Sequence, residues 1–424
     1  MNFSPVVNPA LSFLSESATS VLSLSPVAMS SYEQTLLVKV GYRDNGAEHQ
    51  AYLIYNTATE QYSENLSEYL GGIAAVKITS VAVAFEAAGG VTFAIAYVDL
   101  KEAAHWQLNV GNRLALVQNG TLMSRDLIEQ VTGEVANEGL GKIVLNSSGT
   151  AVSFSSAVSN LTDYSDTNDA DDVFRIDITG QTLQRLSQVS AEVEGSKASD
   201  VLGASESGGQ EYILFETASV EFSVKDTNNK HDLYVVALNS GDVLPQLISE
   251  GSDNLAASVV SEQAILTEGS VIYVSESDLL VAGDANQSPD IFVQNFATGT
   301  RQRLTDSLDE IVGTESDVDY QLFGIDQATT KLLFASNYQS LETDVSLYQV
   351  YLMDLTNGAI TLESASLTGD LGNDSSVSGV MDRDGTNYAF LTQATNIAAG
   401  PGTLMVTTNA PVNHAPIDIV LDNR

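Results

Sequence analysis

The chain has 424 residues, 43% of them hydrophobic and none of them cysteine, so there is material for a large core and no disulfide framework to staple it. Seventeen Lys and Arg stand against 55 Asp and Glu, a formal charge of −38, which excludes nucleic acid as a partner because phosphate binding needs clustered basic side chains. No run of 18 apolar residues is present, so no membrane insertion is expected, and MNFSPVVNPA lacks the basic region and apolar stretch of a secretory leader.

From the N-terminus, the first patterned element is LSFLSE, a short alternating strand that matches PQLISE much later in the chain. TLLVKVGY and GGVTFAIAY follow, centred on Val38 and Phe93. Five stretches then share one pattern, an alternating strand, a polar turn and a second alternating strand with an aromatic at a fixed place: KIVLNSSGTAVSFSS, DVLGASESGGQEYILFE, AILTEGSVIYVSE, QLFGIDQATTKLLFAS and SGVMDRDGTNYAFLT. Their markers Phe154, Phe215, Tyr273, Phe334 and Phe390 are spaced 61, 58, 61 and 56 residues apart, and Phe93 and Val38 extend the series backwards to seven copies.

Each well-formed copy continues with a third strand, such as DDVFRIDI, DLYVVAL, DIFVQNF or YQVYLMDL. A turn follows with Gly180, Gly241, Gly299 or Gly358, where glycine is expected to relieve a positive φ. A last short strand ends in QRLSQ, PQLIS, RQRLT or ITLES. Period-2 alternation in four antiparallel strands per unit predicts an all-β, seven-bladed β-propeller of four-stranded blades. The expected propeller covers 1–410, with blades at 21–67, 73–131, 142–190, 196–250, 253–309, 312–366 and 372–410; residues 9–16 complete the last blade, so that the N-terminal strand closes the ring. A linear solenoid is the competing architecture, and the missing fourth strand of the last copy argues against it.

These repeats resemble the TolB-type, or PD40-like, propeller repeats of bacterial envelope and secreted proteins. The resemblance is carried best by SFSSAVSNLTDYSDTNDADDVFRIDITGQTLQRLS, with its serine-rich strand, Asp-Thr-Asn loop, Asp-Val-Phe strand and Thr-Gly hairpin, and it is clear in blades 3, 4 and 5. It implies a fold and an interaction role without fixing a ligand. PVNHAPIDIVLDN looks like the opening of the cadherin-like or immunoglobulin-like repeats of large bacterial adhesins, so 411–424 is read as a linker toward a following domain.

The strongest local motif is Asp-x-Asn-x-x-x-Asp, at Asp166/Asn168/Asp172, Asp226/Asn228/Asp232 and Asp284/Asn286/Asp290, always between the second and third strands. Alternating oxygen-bearing side chains can converge on a hard cation, so calcium is the expected cofactor. The same residues also make side-chain-to-backbone turns that need no metal, and both readings stay open. Catalysis has poor raw material: His49, His105, His231 and His414 are scattered, GASESGG reads as a polar hairpin turn, and no catalytic residues are assigned. Trp106 fits either a buried gap or a sugar platform, and 101–119 either a lid or part of blade 2.

The function expected is a non-enzymatic, extracellular binding module of a bacterial surface adhesin from a saline habitat, monomeric as a fragment of a larger chain. It would recognise a glycan or peptide at the loop face near the central channel, where function is commonly carried by loops on a rigid scaffold. The alternatives are a rigid spacer or protein-docking platform without a small ligand, and a propeller associated with a hydrolase.

Overall fold

The computed structural model describes residues 2–408 apart from 7, 16, 31–33, 73–74, 86–89, 103–109, 162–165, 167, 191–192, 239–243, 254, 261, 285–287, 297, 309–317, 339–346, 399 and 401. The expected linker 411–424, Trp106, His105, His414, Gly241 and Asn286 therefore lie outside the described residues. Seven four-stranded antiparallel sheets form the blades of a β-propeller fold, and the chain divides into two units, 66–303 with blades 2 to 5, and 1–65 plus 304–424 with blades 1, 6 and 7.

In the 66–303 unit, blade 2 is Val76–Phe85, Val91–Asp99, Arg113–Gln118 and Thr121–Ser124. Blade 3 is Ile143–Leu145, Ala151–Ser156, Asp172–Asp177 and Thr182–Arg185. Blade 4 is Ser199–Ser207, Gln210–Thr217, Asp232–Ala237 and Gln246–Leu247, and blade 5 is Ala264–Leu266, Ser270–Ser275, Asp290–Asn295 and Arg301–Arg303. Part of the suspected lid 101–119 is thus the third strand of blade 2. A single turn and a half of helix, Leu127–Thr132, links blades 2 and 3, its start capped by Asp126 and its end by left-handed Gly133.

In the other unit, blade 1 is Ala18–Met29, Thr35–Asp44, Ala47–Asn56 and Gln61–Asn65, and blade 6 is Tyr320–Ile325, Lys331–Ser336, Gln349–Asp354 and Ala359–Leu362. Blade 7 is Ser376–Met381, Tyr388–Thr392 and Thr403–Thr408, completed by Asn2–Pro5 on the outer edge of Thr403–Thr408. The completing strand is therefore not residues 9–16, of which Leu11–Leu14 form one helical turn. The physical reason lies in the pairing: Phe3 packs its ring 5.6 Å from Tyr388 and 5.1 Å from Phe390, whereas Phe13 of the look-alike LSFLSE lies 6.4 Å from Tyr62 of blade 1.

The marker positions share one role. Val38, Phe93, Phe154, Phe215, Tyr273, Phe334 and Phe390 all lie on second strands and are all buried. In blades 3 to 6 the partner across the ladder is another aromatic, Phe174, Tyr234, Phe292 or Tyr351, stacked at 5.5 to 5.8 Å. Each such pair adds about 0.5–1.5 kcal/mol beyond its burial. First strands of neighbouring blades approach closely: a Cβ on Gly379 would lie 2.6 Å from the Phe323 ring, so the bulge at Val377/Gly379 requires glycine. Of the turn glycines, Gly299 and Gly358 have positive φ, whereas in blade 3 it is Gln181 rather than Gly180 that does. The left-handed residue falls four places after Asp177, Asn295 and Asp354 alike, and in blade 3 the glycine stands one place before it.

Candidate functional site in blades 3 to 5

The third strand of blades 3, 4 and 5 opens with a buried acid, Asp172, Asp232 or Asp290. Asp172 Oδ1 accepts from the Ser187 hydroxyl at 2.6 Å, and Asp232 Oδ1 from Ser249 at 2.6 Å. The same hydroxyls accept from the N–H groups of Val173 at 2.9 Å and Leu233 at 3.2 Å. Blade 6 repeats the clasp with Gln349, whose Oε1 accepts from Ser364 at 2.9 Å while Val350 N–H donates to Ser364 at 2.8 Å. The acid thus ties the start of the third strand to the residue that follows the fourth, a role an uncharged amide can also fill.

In blades 3 and 4 the other end of the loop is a side-chain turn. Asp166 Oδ1 accepts from the N–H groups of Asn168 and Asp169 at 3.1 and 3.0 Å. Asn168 Oδ1 accepts from Ala170 N–H at 2.6 Å, and its amide donates to Gly195 carbonyl at 2.6 Å, so it anchors the loop to the segment leading to blade 4. Blade 4 copies this: Asn228 N–H donates to Asp226 Oδ1 at 3.3 Å, Lys230 N–H to Asn228 Oδ1 at 2.6 Å, and the Asn228 amide to Ala256 carbonyl at 3.0 Å. Asp169 and Asn229 sit at φ of 52° and 54°, the left-handed region that Asp and Asn tolerate better than most residues.

The three loops differ in how the buried charge is met. Arg185 donates from Nη1 to Asp172 Oδ2 at 3.2 Å and also to Glu194. Arg303 donates from Nη1 to Asp284 Oδ1 at 2.9 Å and Asp290 Oδ2 at 3.2 Å. Both arginines face the aromatic of the third strand, Phe174 or Phe292, and at that register blade 4 places Leu247 opposite Tyr234. The Tyr234 hydroxyl, absent from Phe174 and Phe292, donates to Asp226 Oδ2 at 3.0 Å, while Asp232 Oδ2 accepts no hydrogen bond. Among the described residues, no group of three or more His, Cys, Asp or Glu is arranged to hold a metal.

Burial pushes the Asp232 carboxyl up to about 7, with Asp226 adding to the rise and the Ser249 hydroxyl and Asn228 amide opposing it. An acid whose folded pKa is raised costs stability increasingly as pH climbs from its unfolded value, about 3.9, to its folded one, and in full above that. In metal-free buffer, Asp232→Asn is expected to flatten this slope and to stabilise the fold near pH 8 by on the order of 2 kcal/mol or more, read from urea unfolding. A variant weaker than the parent at that pH would contradict the assignment.

A second charged group gathers in the same unit. Lys142, exposed at the start of blade 3, has Glu262, Glu216 and Asp200 acting on its ammonium; surrounding protein lowers its pKa and the three carboxylates oppose that. Asp200 is raised by burial and then by Glu262, and Asp171 by burial, Asp200 and Glu138. Buried Glu216 accepts from Glu262 N–H at 3.0 Å and lies 3.7 Å from His231 Nδ1, and Glu262 itself sits at φ 61°. The sequence reading missed Lys142, Asp200, Glu216 and Glu262. Their only signal is that Lys142, Asp200 and Glu262 recur at or just before the first strand of three successive repeats.

His49 and the arginines outside the clasps have local roles. His49 stacks on Tyr42 at 5.6 Å. Arg113 pairs with Glu102 at 2.6 Å and Asp126 at 3.1 Å, Arg175 with Glu211 at 2.5 Å, and Arg301 donates to the carbonyls of Ile248, Glu250 and Leu280 at 2.9, 2.6 and 3.0 Å. GASESGG is a polar hairpin turn, with Gly208 and Gly209 at positive φ between two strands.

No family model matches the chain, and no curated protein matches it. Among solved structures, it is similar to the β-propeller domain of the Trilobed protease from Pyrococcus furiosus, described as having an open velcro topology, with a TM-score of 0.51 and 9% identity over 88% of this chain and 90% of that one. A Pyrococcus horikoshii acylaminoacyl peptidase gives a TM-score of 0.49 at 8% identity over 88% of this chain and 50% of that one. A prolyl endopeptidase gives 0.47 at 11% identity over 81% and 42%, so the chain spans half or less of either enzyme. At such identities the likeness is one of fold alone.

Proposed function

We propose that this chain is a non-enzymatic binding module that takes a basic peptide segment of a partner protein, in the setting of an extracellular bacterial surface protein. The observation that supports this is the gathering of Glu262, Glu216 and Asp200 about Lys142, with Asp171 and Glu138 extending the acidic group from Asp200. Asp171 and Asp200, half-buried acids whose charged form burial already penalises, gain most from an incoming ammonium or guanidinium, and Lys142 imposes a register by repelling one position of a cationic ligand. A net charge of −38 adds long-range attraction for the same class of partner. The second reading, a rigid spacer or docking platform without a small ligand, is favoured by a different observation. The acids of the Asp-x-Asn loops are spent on clasps and arginine pairs inside the blades.

The two separate on peptide and glycan arrays probed with the parent chain and with Asp200→Asn/Glu262→Gln. Binding of basic peptides that weakens with salt and falls at least about tenfold in the double variant is expected. No hits at all would leave the platform reading, and glycan hits untouched by the substitutions would overturn both.

A further inference from the structure

Blades 3, 4 and 5 present one carboxylate oxygen in three surroundings. Asp172 Oδ2 and Asp290 Oδ2 each receive an arginine Nη1 at 3.2 Å. Asp232 Oδ2 belongs to a residue with 0% exposure and accepts no hydrogen bond, because Leu247 stands at the arginine's register. Blade 5 also shows how near a second acid comes, since a single Nη1 of Arg303 touches both Asp284 and Asp290. Asp226 is the counterpart of Asp284, only 4% exposed, and accepts from the neutral Tyr234 hydroxyl and Asn228 N–H. No salt bridge to either acid of this pair occurs among the described residues. A buried carboxylate left without a counter-charge is strongly disfavoured.

We propose that blade 4 binds a hard divalent cation of the calcium class between Asp226 and Asp232, in the place that arginine guanidinium groups take in blades 3 and 5. Carboxylate oxygens with water completing the shell suit such an ion and disfavour soft metals. Two protein carboxylates place the affinity in the weak range of extracellular modules, about 10⁻⁴–10⁻³ M. The same comparison reassigns the calcium expected in three loops to one, since in blades 3 and 5 a cation would have to displace an arginine. This site does not depend on the peptide-binding reading, and its test does not use a peptide.

The full chain is titrated with calcium chloride by calorimetry and by thermal unfolding, beside Leu247→Arg and Asp232→Asn. With 55 acids on the chain, diffuse calcium binding is common to all three proteins, so the site is the difference between them. The expected result is one saturable component in the parent that weakens at least tenfold in both variants. Leu247→Arg should also match, in chelator, the melting temperature that the parent reaches only with calcium. Equal calcium responses in the parent and Leu247→Arg, or no saturable component below about 10 mM, overturn the proposal and leave Asp232 to a proton. Should Leu247→Arg not fold, judged by circular dichroism, Asp232→Asn decides alone by the same criterion.

Discussion

Replacing Arg303 by leucine, which gives blade 5 the residue that blade 4 already has, is expected to cost about 3–5 kcal/mol near neutral pH, the usual penalty for breaking a buried ion pair from one side. Arg303 is 7% exposed and joins two acids that are themselves 8% and 2% exposed, Asp284 and Asp290. Blade 5 has Phe292 where blade 4 has the compensating Tyr234 hydroxyl. For a chain of this size the loss corresponds to a fall in melting temperature of roughly 4–5 °C if unfolding is cooperative. Calorimetry at neutral pH checks this; a deficit under about 1 kcal/mol would mean that solvent already reaches the pair. The double change Arg303→Leu/Phe292→Tyr should recover part of the loss, since it imports the blade 4 solution for the first acid.

Removing residues 1–6 is the second large effect. Their strand pairs Asn2 to Pro5 with Thr408 to Met405, and Val6 N–H donates to Leu404 carbonyl at 2.8 Å. Phe3 packs against Tyr388, Phe390 and the apolar cluster of Leu333, Val350 and Met405. Truncation withdraws that ring and leaves Thr403–Thr408 as an unpaired edge, which invites pairing with another copy. A fall in unfolding temperature together with concentration-dependent association in light scattering is expected. Phe3→Ala alone, which keeps the backbone pairing, should cost about 2–3 kcal/mol without the association. Association of equal extent in Phe3→Ala would show that the ring, and not the open edge, keeps the chains apart.

The seven repeats and their strand order were legible from residues because the information is local. Alternation of period two sets which face of a strand is buried, and an aromatic at a constant offset marks the second strand whatever its neighbours do. Even the polar turn at GASESGG follows from position within the repeat.

What the sequence could not decide was every outcome that rests on pairing between distant segments. Asn2–Pro5 is too short to carry an alternation signal, and its choice over LSFLSE depends on where Phe3 meets Tyr388 and Phe390, hundreds of residues away. The Asp-x-Asn motifs look alike in one dimension. Only strand register shows that an arginine opposite Phe174 or Phe292 meets the acid in two blades, while Leu247 opposite Tyr234 leaves Asp232 Oδ2 alone in the third. Lys142, Asp200 and Glu262 come from three different repeats and become one charged group only when adjacent blades bring their first strands side by side, because electrostatic interaction depends on separation in space and takes no account of separation along the chain.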